Sequence, residues 1–594
     1  MQGKYLIIFL ALYFCSFLFQ DIFLEPTNVP RFAIVSIFLL FTVLFFIYNT
    51  IPIVIPKLPL FIALVGFYLL NLASSAWAVN IADSFYESQK IFLQIIIIIA
   101  CLSFINSVEE ELLLIQSLII SAYVYVVYTA IQIAGLSDLN NDSLYNITSF
   151  SEHKNLLSSY LFLLLPFAVY GALLLTHFWK VVSKFIFFLI ILILLFLQTR
   201  AVYIALFCSL FILSFLFFKK RPSNFKILLI GIFSLFIIVV VFSSISDSFS
   251  ARVNIFNYQS SESSKERLSI WRNTILLIKE YPFFGVGAGN WQYLFSKYSI
   301  SHIDNIVKSS ISFQRPHNDF LWILSESGII GFSLIVFILL YILIKIRISL
   351  KSGLDDHRSI KTKIFFSFLC GLLVISFFSF EKERISHIII ASILIALLIK
   401  NLGITSVLNK KKQIFIVMIG LIGIVFNLTI SLYRLKGEYY TNLLFKNLNQ
   451  GKPETVIDYG TKALSPFYLT DPTSTPVYSY IASAYNEMNR FHETLEYSKN
   501  AFEISPYDYK VLSNYGYILE RFHYRKEAEI ILSEALRINP FYEQAIINMV
   551  VLKYNQERYT EALELVNQLN KGKMEIKFYE EKIKSKLQAS RYQH

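Results

Sequence analysis

The amino-acid sequence predicts an all-α protein: a polytopic membrane helical bundle of about 12 to 13 spans, with one large polar loop and a C-terminal α-solenoid. Three observations support this fold class. Hydrophobic residues make up 55% of the 594 residues and the mean hydropathy is +0.56, more apolar surface than a soluble domain can bury. Apolar stretches long enough to cross a bilayer follow one another as far as residue 431. Beyond residue 431 the chain becomes charged and rich in Tyr and Asn.

Roughly thirteen apolar segments are long enough to span a membrane. The first, at 5–19, is not followed by a small-residue cleavage site, so we expect it to remain as a span rather than act as a signal peptide. The others are expected at about 32–50, 58–76, 90–106, 111–134, 155–177, 181–199, 201–218 and 226–243, and after the loop at about 318–345, 363–380, 386–402 and 413–431.

The distribution of charge argues against nucleic-acid binding and indicates an orientation. The net charge is +12, but Lys and Arg cluster in short loops between apolar segments, as membrane topology requires. If the N-terminus is cytoplasmic, every strongly basic short loop lies inside, and the loop at 244–317 and the region 432–594 lie outside. The turn at Glu109 and Glu110 carries no cation, but acids contribute little to this rule. The four cysteines lie singly in apolar runs, so we interpret them as buried hydrophobic residues rather than as a metal site.

The polar loop at 244–317 contains the first candidates for chemistry. Its Arg267, Arg272 and His317 are of the types that bind phosphates and move protons. Arg267 and Arg272 fall in an amphipathic helix, and a spacing of five places them on different faces, so both need not serve one site. The alternative is a solvated helix lying on anionic headgroups.

Two other segments fall on the same side of the predicted topology. Arg200 interrupts about 37 largely apolar residues, where a charge is costly unless it is paired or reaches the interface. Its alternative role is a tight turn whose guanidinium extends to headgroups. Asn155 lies in a short polar segment, residues 150–155, that also contains His153.

A polar stripe follows His317 and continues from the loop into the next span. Asp319, Trp322 and Glu326 recur at i, i+3 and i+7, and carboxylates inside a span are candidates for a functional site. The structural alternative is that Asn318 and Asp319 simply cap the helix. The glycines at 285, 287 and 289 follow no predicted strand, so we interpret them as a flexible turn rather than a nucleotide site.

The region after residue 431 repeats every 34 residues. Ala501 and Pro506 correspond to Ala535 and Pro540, and Thr494 corresponds to Ala528. This period is typical of tetratricopeptide repeats, and three to four units are just enough for a stable solenoid. We therefore expect a domain at 432–594 that binds a protein or peptide in its groove.

Short motifs follow one another in this order along the chain: Ser75-Ala76-Trp77-Ala78, Lys154-Asn155-Leu156, Gln198-Thr199-Arg200-Ala201, Glu266-Arg267, Trp271-Arg272, Tyr281-Pro282-Phe283-Phe284-Gly285-Val286-Gly287-Ala288-Gly289-Asn290, Pro316-His317-Asn318-Asp319 and Glu326-Ser327-Gly328. Together they resemble the bacterial O-antigen ligase and polymerase superfamily, which includes protein O-oligosaccharyltransferases. The resemblance covers about residues 60–440.

The resemblance implies an inverting, metal-independent glycosyltransferase without a cofactor, in the bacterial inner membrane, with the loop and the repeats in the periplasm. Its donor would be an undecaprenyl-diphosphate-linked glycan. Arg200 and Arg267 would hold the diphosphate, His317 would act as base, and Arg272, Asn155 and Glu326 would assist in binding. The loop lacks an Asp-x-Asp metal motif, whereas the repeats are not part of the minimal family pattern.

The acceptor is left open by the sequence. Lipid A core, a growing glycan and a protein hydroxyl correspond to a ligase, a polymerase and an oligosaccharyltransferase, and we place the ligase first. A transporter of lipid-linked glycan is the competing class, although the repeated halves typical of transporters are not evident. A third alternative is an anchored scaffold for the repeats, for which Arg200 and His317 would be replaceable.

Overall fold

A computed structural model describes residues 22–136, 141–218, 262–298, 313–351, 356–569 and 574–591, and most of these are helical. The elements before the polar loop are α1 (Val29–Tyr48), β1 (Val54–Pro56), α2 (Leu58–Ala73), α3 (Ile81–Phe104), α4 (Val108–Ala134), α5 (Asn141–Tyr145), α6 (Lys154–Leu174), α7 (His177–Leu197) and α8 (Arg200–Phe218). The next are α9 (Glu262–Glu280), α10 (Trp291–Leu294), α11 (Asp319–Lys351), α12 (Asp356–Phe378), α13 (Ile385–Asn401), β2 (Thr405–Val407) and α14 (Lys410–Leu448).

Ten of the described helices are long and apolar enough to cross a membrane, which confirms a polytopic helical bundle. These are α1, α2, α3, α4, α6, α7, α8, α11, α12 and α14. The predicted span at 386–402 corresponds to α13, which is apolar but shorter. The predicted spans at 5–19 and 226–243 lie outside the described residues.

Helix α6 lies at the centre of the bundle. It is apolar on every face, as expected of a helix surrounded by others, and it packs against α4, α7, α12 and α13. Tyr160, Phe162 and Phe167 are completely enclosed. Surrounding helices therefore fix α6 in place, including its N-terminal end, which carries His153 and Asn155.

Two short strands, which the sequence did not predict, pair in an antiparallel ribbon. Val54 of β1 lies opposite Val407 of β2. The ribbon joins the segment before α2 to the segment after α13, so it ties together two loops that the charge pattern places on the predicted cytoplasmic side.

One uninterrupted helix, α14, extends 39 residues from an apolar span into the polar C-terminal region. The change in composition at residue 431 thus falls inside a helix. The following helices are α15 (Pro453–Ala463), α16 (Val477–Glu487), α17 (Phe491–Ile504), α18 (Tyr509–Arg521), α19 (Arg525–Ile538), α20 (Glu543–Asn555), α21 (Tyr559–Val566) and α22 (Met574–Arg591). Each packs mainly on its neighbours in sequence. The domain boundary at 432 and the tetratricopeptide assignment stay predictions.

Candidate active site

The polar loop is joined to the bundle at a break in α11. Gly328 has non-helical dihedral angles, φ 63° and ψ −171°, so the carbonyls before it lose their helical partners. The N–H groups of Val286 and Gly287 donate to the carbonyls of Ser325 and Glu326 at 2.9 and 3.0 Å. The glycine-rich turn of the loop therefore donates hydrogen bonds to the carbonyls that the break in α11 leaves without helical partners.

This join requires glycine on both sides. A Cβ on Gly328 would lie 2.1 Å from the carbonyl oxygen of Phe283, and a Cβ on Gly285 would lie 2.3 Å from the carbonyl carbon of Glu326. Both residues also have positive φ, which disfavours other residue types. The predicted flexible turn is a turn, but it is packed against a helix, so its glycines permit close approach rather than movement.

Residues around Trp77 hold the glycine-rich turn in place through hydrogen bonds. Trp77 Nε1 donates to the Gly285 carbonyl at 3.2 Å, and Ser74 Oγ accepts from the N–H of Ala288 at 2.9 Å. The N–H of Asn80 donates to Asn290 Oδ1 at 2.7 Å. The segment around Trp77, the glycine-rich turn and the break in α11 are far apart in sequence, but they form one structural unit.

His317 is held next to the loop helix α9 in a strained conformation. Trp271 Nε1 of α9 donates to the Pro316 carbonyl at 2.9 Å. His317 has φ 52°, a left-handed value that is uncommon for a residue with a side chain. Asn318 Oδ1 accepts from the N–H of Leu321 at 3.0 Å, so the predicted helix cap is confirmed for Asn318. The cap starts α11, and the strained residue immediately before it carries the imidazole.

The imidazole of His317 lies against an aromatic ring and is influenced by the charges of two guanidinium groups. Its ring packs edge to face with Phe380, the centroids being 5.1 Å apart. Burial, followed by the positive charges of Arg267 and Arg315, lowers the pKa of His317 to about 3. His317 is therefore neutral near pH 7 and has a lone pair available to accept a proton.

Four charged residues in the turn between α12 and α13 organise this region: Glu381, Lys382, Glu383 and Arg384. Glu383 forms a two-pronged ion pair with Arg315, two residues before His317, with one contact of 2.6 Å. Burial alone would raise the pKa of Glu383, but Arg315 and Arg384 hold it well below its usual range. Arg384 also pairs with Glu25, at 2.9 Å, and with Glu152.

Glu326 is ion-paired within the protein. Its Oε2 accepts from Lys382 Nζ at 2.8 Å, and its Oε1 accepts from Trp322 Nε1 at 2.7 Å. The side chain of Glu326 is 3% exposed. Lys382 in turn lies over the Trp322 ring, 3.8 Å from its centroid. The stripe predicted from Asp319 to Glu326 thus joins α11 to the charged turn.

The segment that contains Arg200 contacts the segment that contains Asn155. Gln198 ends α7 in the left-handed conformation, which makes the tight turn that places Arg200 at the start of α8. Thr199 Oγ1 lies 3.3 Å from Asn155 Oδ1 and 2.8 Å from Ser158 Oγ. Arg200 is half-buried at this junction.

The N-terminal end of α6 connects the two groups of candidates. Leu156, next to Asn155, belongs to the same buried apolar cluster as Ile270, Trp322 and Phe380. His153 caps α6 by accepting from the N–H of Leu156 at 3.4 Å, and its ring lies 6.0 Å from Phe380. Phe380 therefore has His317 and His153 as neighbours.

The six candidates from the sequence are placed unequally. Arg267 lies close enough to His317 to lower its pKa, and its Nη1 also donates to the Phe378 carbonyl at 3.4 Å. Asn155 and Arg200 share the second group. Arg272 is exposed on α9, and Glu326 is buried and paired.

Sequence reasoning missed the part played by His153, Phe380 and the charges at 381–384. The available signal was the position of the four charges: they lie between two spans, and the topology places them on the same side as His317. A dense group of charges there needs partners, and the sequence offered Arg315 and Glu326.

These features define a class: a polytopic helical membrane protein with a charged cluster that joins a loop helix, the start of one span and a turn between two others. A family model described as O-antigen ligase matches residues 185–336. The match includes Arg200, Arg267, Arg272, His317 and Glu326, but not Asn155. It covers less than half of the chain and supports the O-antigen ligase and polymerase superfamily, with an enzymatic role on lipid-linked glycans. No curated protein matches the chain.

Proposed function

We propose that this protein transfers a glycan from undecaprenyl diphosphate to an acceptor hydroxyl at the outer face of the bacterial inner membrane, as an O-antigen ligase does. The observation that carries this proposal is the imidazole of His317, which packs against Phe380 and feels the positive charges of Arg267 and Arg315, within the region that the family model matches. Guanidinium groups suit a diphosphate, and a neutral imidazole suits a hydroxyl proton.

In the proposed reaction, His317 acts as the general base. The acceptor hydroxyl oxygen bonds to the anomeric carbon of the donor sugar while the bond from that carbon to the phosphate oxygen breaks. The hydroxyl proton passes to the imidazole, and undecaprenyl diphosphate leaves with the electron pair of the broken bond. Arg200 and Arg267 would neutralise the charge on the leaving diphosphate.

The low pKa of His317 fits a base that becomes active when the donor binds. In the free protein, burial and the charges of Arg267 and Arg315 make the imidazole a weak base. A bound diphosphate would offset those positive charges and raise the pKa of His317 above its value in the free protein. Proton transfer would then be favoured only when the donor is in place.

Arg272, Asn155 and Glu326 take lesser parts in this proposal. Exposed Arg272 is free to reach a large glycan or a headgroup. Asn155 would position the turn that carries Arg200, through Thr199. Glu326 would act as a positioning residue, because its carboxylate holds Lys382 and the charged turn.

The test is release of glycan from its carrier by the purified protein, with wild type compared with His317→Asn. Asn tolerates the left-handed backbone better than Ala, so this variant removes the imidazole with least strain. We expect release to fall by about 10²–10⁴-fold. Undiminished release by His317→Asn would overturn the proposed base.

A matched control is His357→Ala, because His357 is exposed at the start of α12, whereas the 381–384 turn and the candidate active site follow the end of that helix. It should release glycan as wild type does. Supplying lipid A core, free glycan or an unglycosylated protein as the acceptor separates a ligase from a polymerase or a protein O-oligosaccharyltransferase. Carrier-linked glycan that crosses the membrane intact, with no new conjugate, would instead indicate a transporter.

A further inference from the structure

A polar cavity lies beside the candidate active site, where the C-terminal region meets the membrane bundle. Its volume is about 70 Å³, and its walls come from α3, α14, the polar loop, the 381–384 turn and the connector between α15 and α16. At about 10–15 Å³ per water it holds roughly five waters, a space comparable to one sugar ring. Arg315 and Trp322 line it, which places it directly beside the His317 cluster.

Two hydrogen-bonding groups in the cavity wall are buried without a partner among the described residues. These are the hydroxyl of Tyr86, whose side chain is 4% exposed, and Nε of Arg434. Arg434 pairs with Asp83 through Nη2, and its guanidinium carbon lies 4.0 Å from the centroid of the Tyr86 ring. Buried polar groups normally have partners, so a ligand that supplies hydroxyl groups would satisfy both.

The charge of the wall restricts what this ligand is. Six carboxyl groups and three cationic side chains line the cavity. Burial raises the pKa of Glu25 and Asp471. Even with half of the six carboxyl groups protonated, the other three would balance the three cations. The cavity therefore has no positive excess to attract a phosphate or an acidic sugar.

We propose that this cavity binds one neutral or amino-substituted sugar unit of the glycan substrate and that the C-terminal region completes it. Thr470, Asp471 and Pro472 of the connector form one wall. Thr470 Oγ1 lies 3.0 Å from the hydroxyl of Tyr293, and Gln314 Nε2 donates to the Thr473 carbonyl at 3.2 Å. The sugar assignment rests on the proposed glycosyl transfer, whereas the cavity and its unpartnered groups stand without it.

The test measures binding without turnover. The full-length protein in detergent is titrated with methyl glucoside, methyl glucosaminide and methyl glucuronide, with no lipid-linked donor present, and binding is followed by intrinsic tryptophan fluorescence and by ligand-observed NMR. We expect the first two probes to bind at least several-fold more tightly than the acidic one. Equal binding of all three, or binding of none, overturns the proposal.

Two conservative variants locate the binding. Tyr86→Phe removes only the unpartnered hydroxyl and should weaken binding about three- to tenfold, as expected for one hydrogen bond. Thr470→Val removes a connector hydroxyl that lies 3.0 Å from the Tyr293 hydroxyl, and it should also weaken binding. Tyr123→Phe, an exposed tyrosine of α4, is the matched control. Wild-type binding by both Tyr86→Phe and Thr470→Val overturns the assignment.

Kinetics with Tyr86→Phe then assign the sugar unit to its source. A KM raised for the acceptor alone places the acceptor glycan in the cavity, and a KM raised for the carrier-linked glycan alone places the donor there. Glycan release without sugar binding would leave the proposed function standing and remove this inference. Sugar binding without glycan release would remove the proposed function and leave the cavity as a sugar-binding site.

Discussion

Charged residues are abundant around His317 and in the C-terminal helices, but they are paired in opposite ways. In the C-terminal helices the pairs are largely local and exposed, as between Arg490 and Glu493 at the start of α17. Around His317 the pairs join residues far apart in sequence, and their carboxylates are buried: Arg315 with Glu383, and Lys382 with Glu326. Exposed pairs contribute little to stability, whereas a buried charge that loses its partner is costly. The charges around His317 therefore fix a geometry, and those of the helices mainly solvate a surface.

The sharpest way to break this contrast is to remove one buried carboxylate. Glu383→Gln leaves Arg315 and Arg384 without a common partner, and we expect a loss of about 3–5 kcal/mol of stability. The midpoint of thermal unfolding of the purified protein measures it. Glu493→Gln, at an exposed pair, should leave the midpoint unchanged. Equal midpoints for the two variants would refute the distinction.

The backbone join between the loop and α11 is tested with a pair of glycines. Gly328 and Gly403 both have positive φ, but only Gly328 has atoms within 4 Å of the Cβ position. Gly403→Ala should cost about 1 kcal/mol from backbone strain. Gly328→Ala adds a steric conflict and should cost about 3 kcal/mol in all. Unfolding midpoints compare the two, and a similar loss in both would mean that the join yields readily.

Acidification should reveal the histidines near Phe380. An unfolded histidine takes up its proton near pH 6.5, but folded His317 does so only near 3, and burial followed by Arg384 lowers the pKa of His153 to about 4. The unfolded chain thus binds more protons in this interval, so stability should fall as the pH is lowered from about 6.5. Unfolding midpoints between pH 7 and 5 measure the slope. His317→Asn should flatten it, and an unchanged slope would contradict the burial of this imidazole.

The two arginines of α9 provide the smallest expected effect. Arg272 is exposed, so Arg272→Ala should change glycan release by less than about threefold. Arg267→Ala, which removes a positive charge near His317, is the matched comparison and should lose most of the release. A loss as large for Arg272 as for Arg267 would show that both arginines hold substrate.

Much of the architecture was predictable because apolar length and loop charge are local properties. Ten segments predicted as spans recur as helices long enough to cross a membrane. The break at Gly328 was not predicted, because it depends on contacts with Phe283 and Gly285 more than 40 residues away. The charged turn was missed for the same reason, since the partners of Glu383 and Lys382 are distant in sequence. Sequence reasoning did select Arg267 and His317, but the grouping of Arg200 with Asn155 depends on the fold.

The continuous helix α14 has a geometric consequence for the whole molecule. An α-helix advances about 1.5 Å and turns about 100° per residue, so the 39 residues of α14 extend about 58 Å. Insertion or deletion of one residue in α14 would rotate the C-terminal helices relative to the bundle by more than a quarter turn. The connector that carries Thr470 would then no longer face the polar loop. The number of residues in α14 is thus constrained together with their identity, even where the side chains face only lipid.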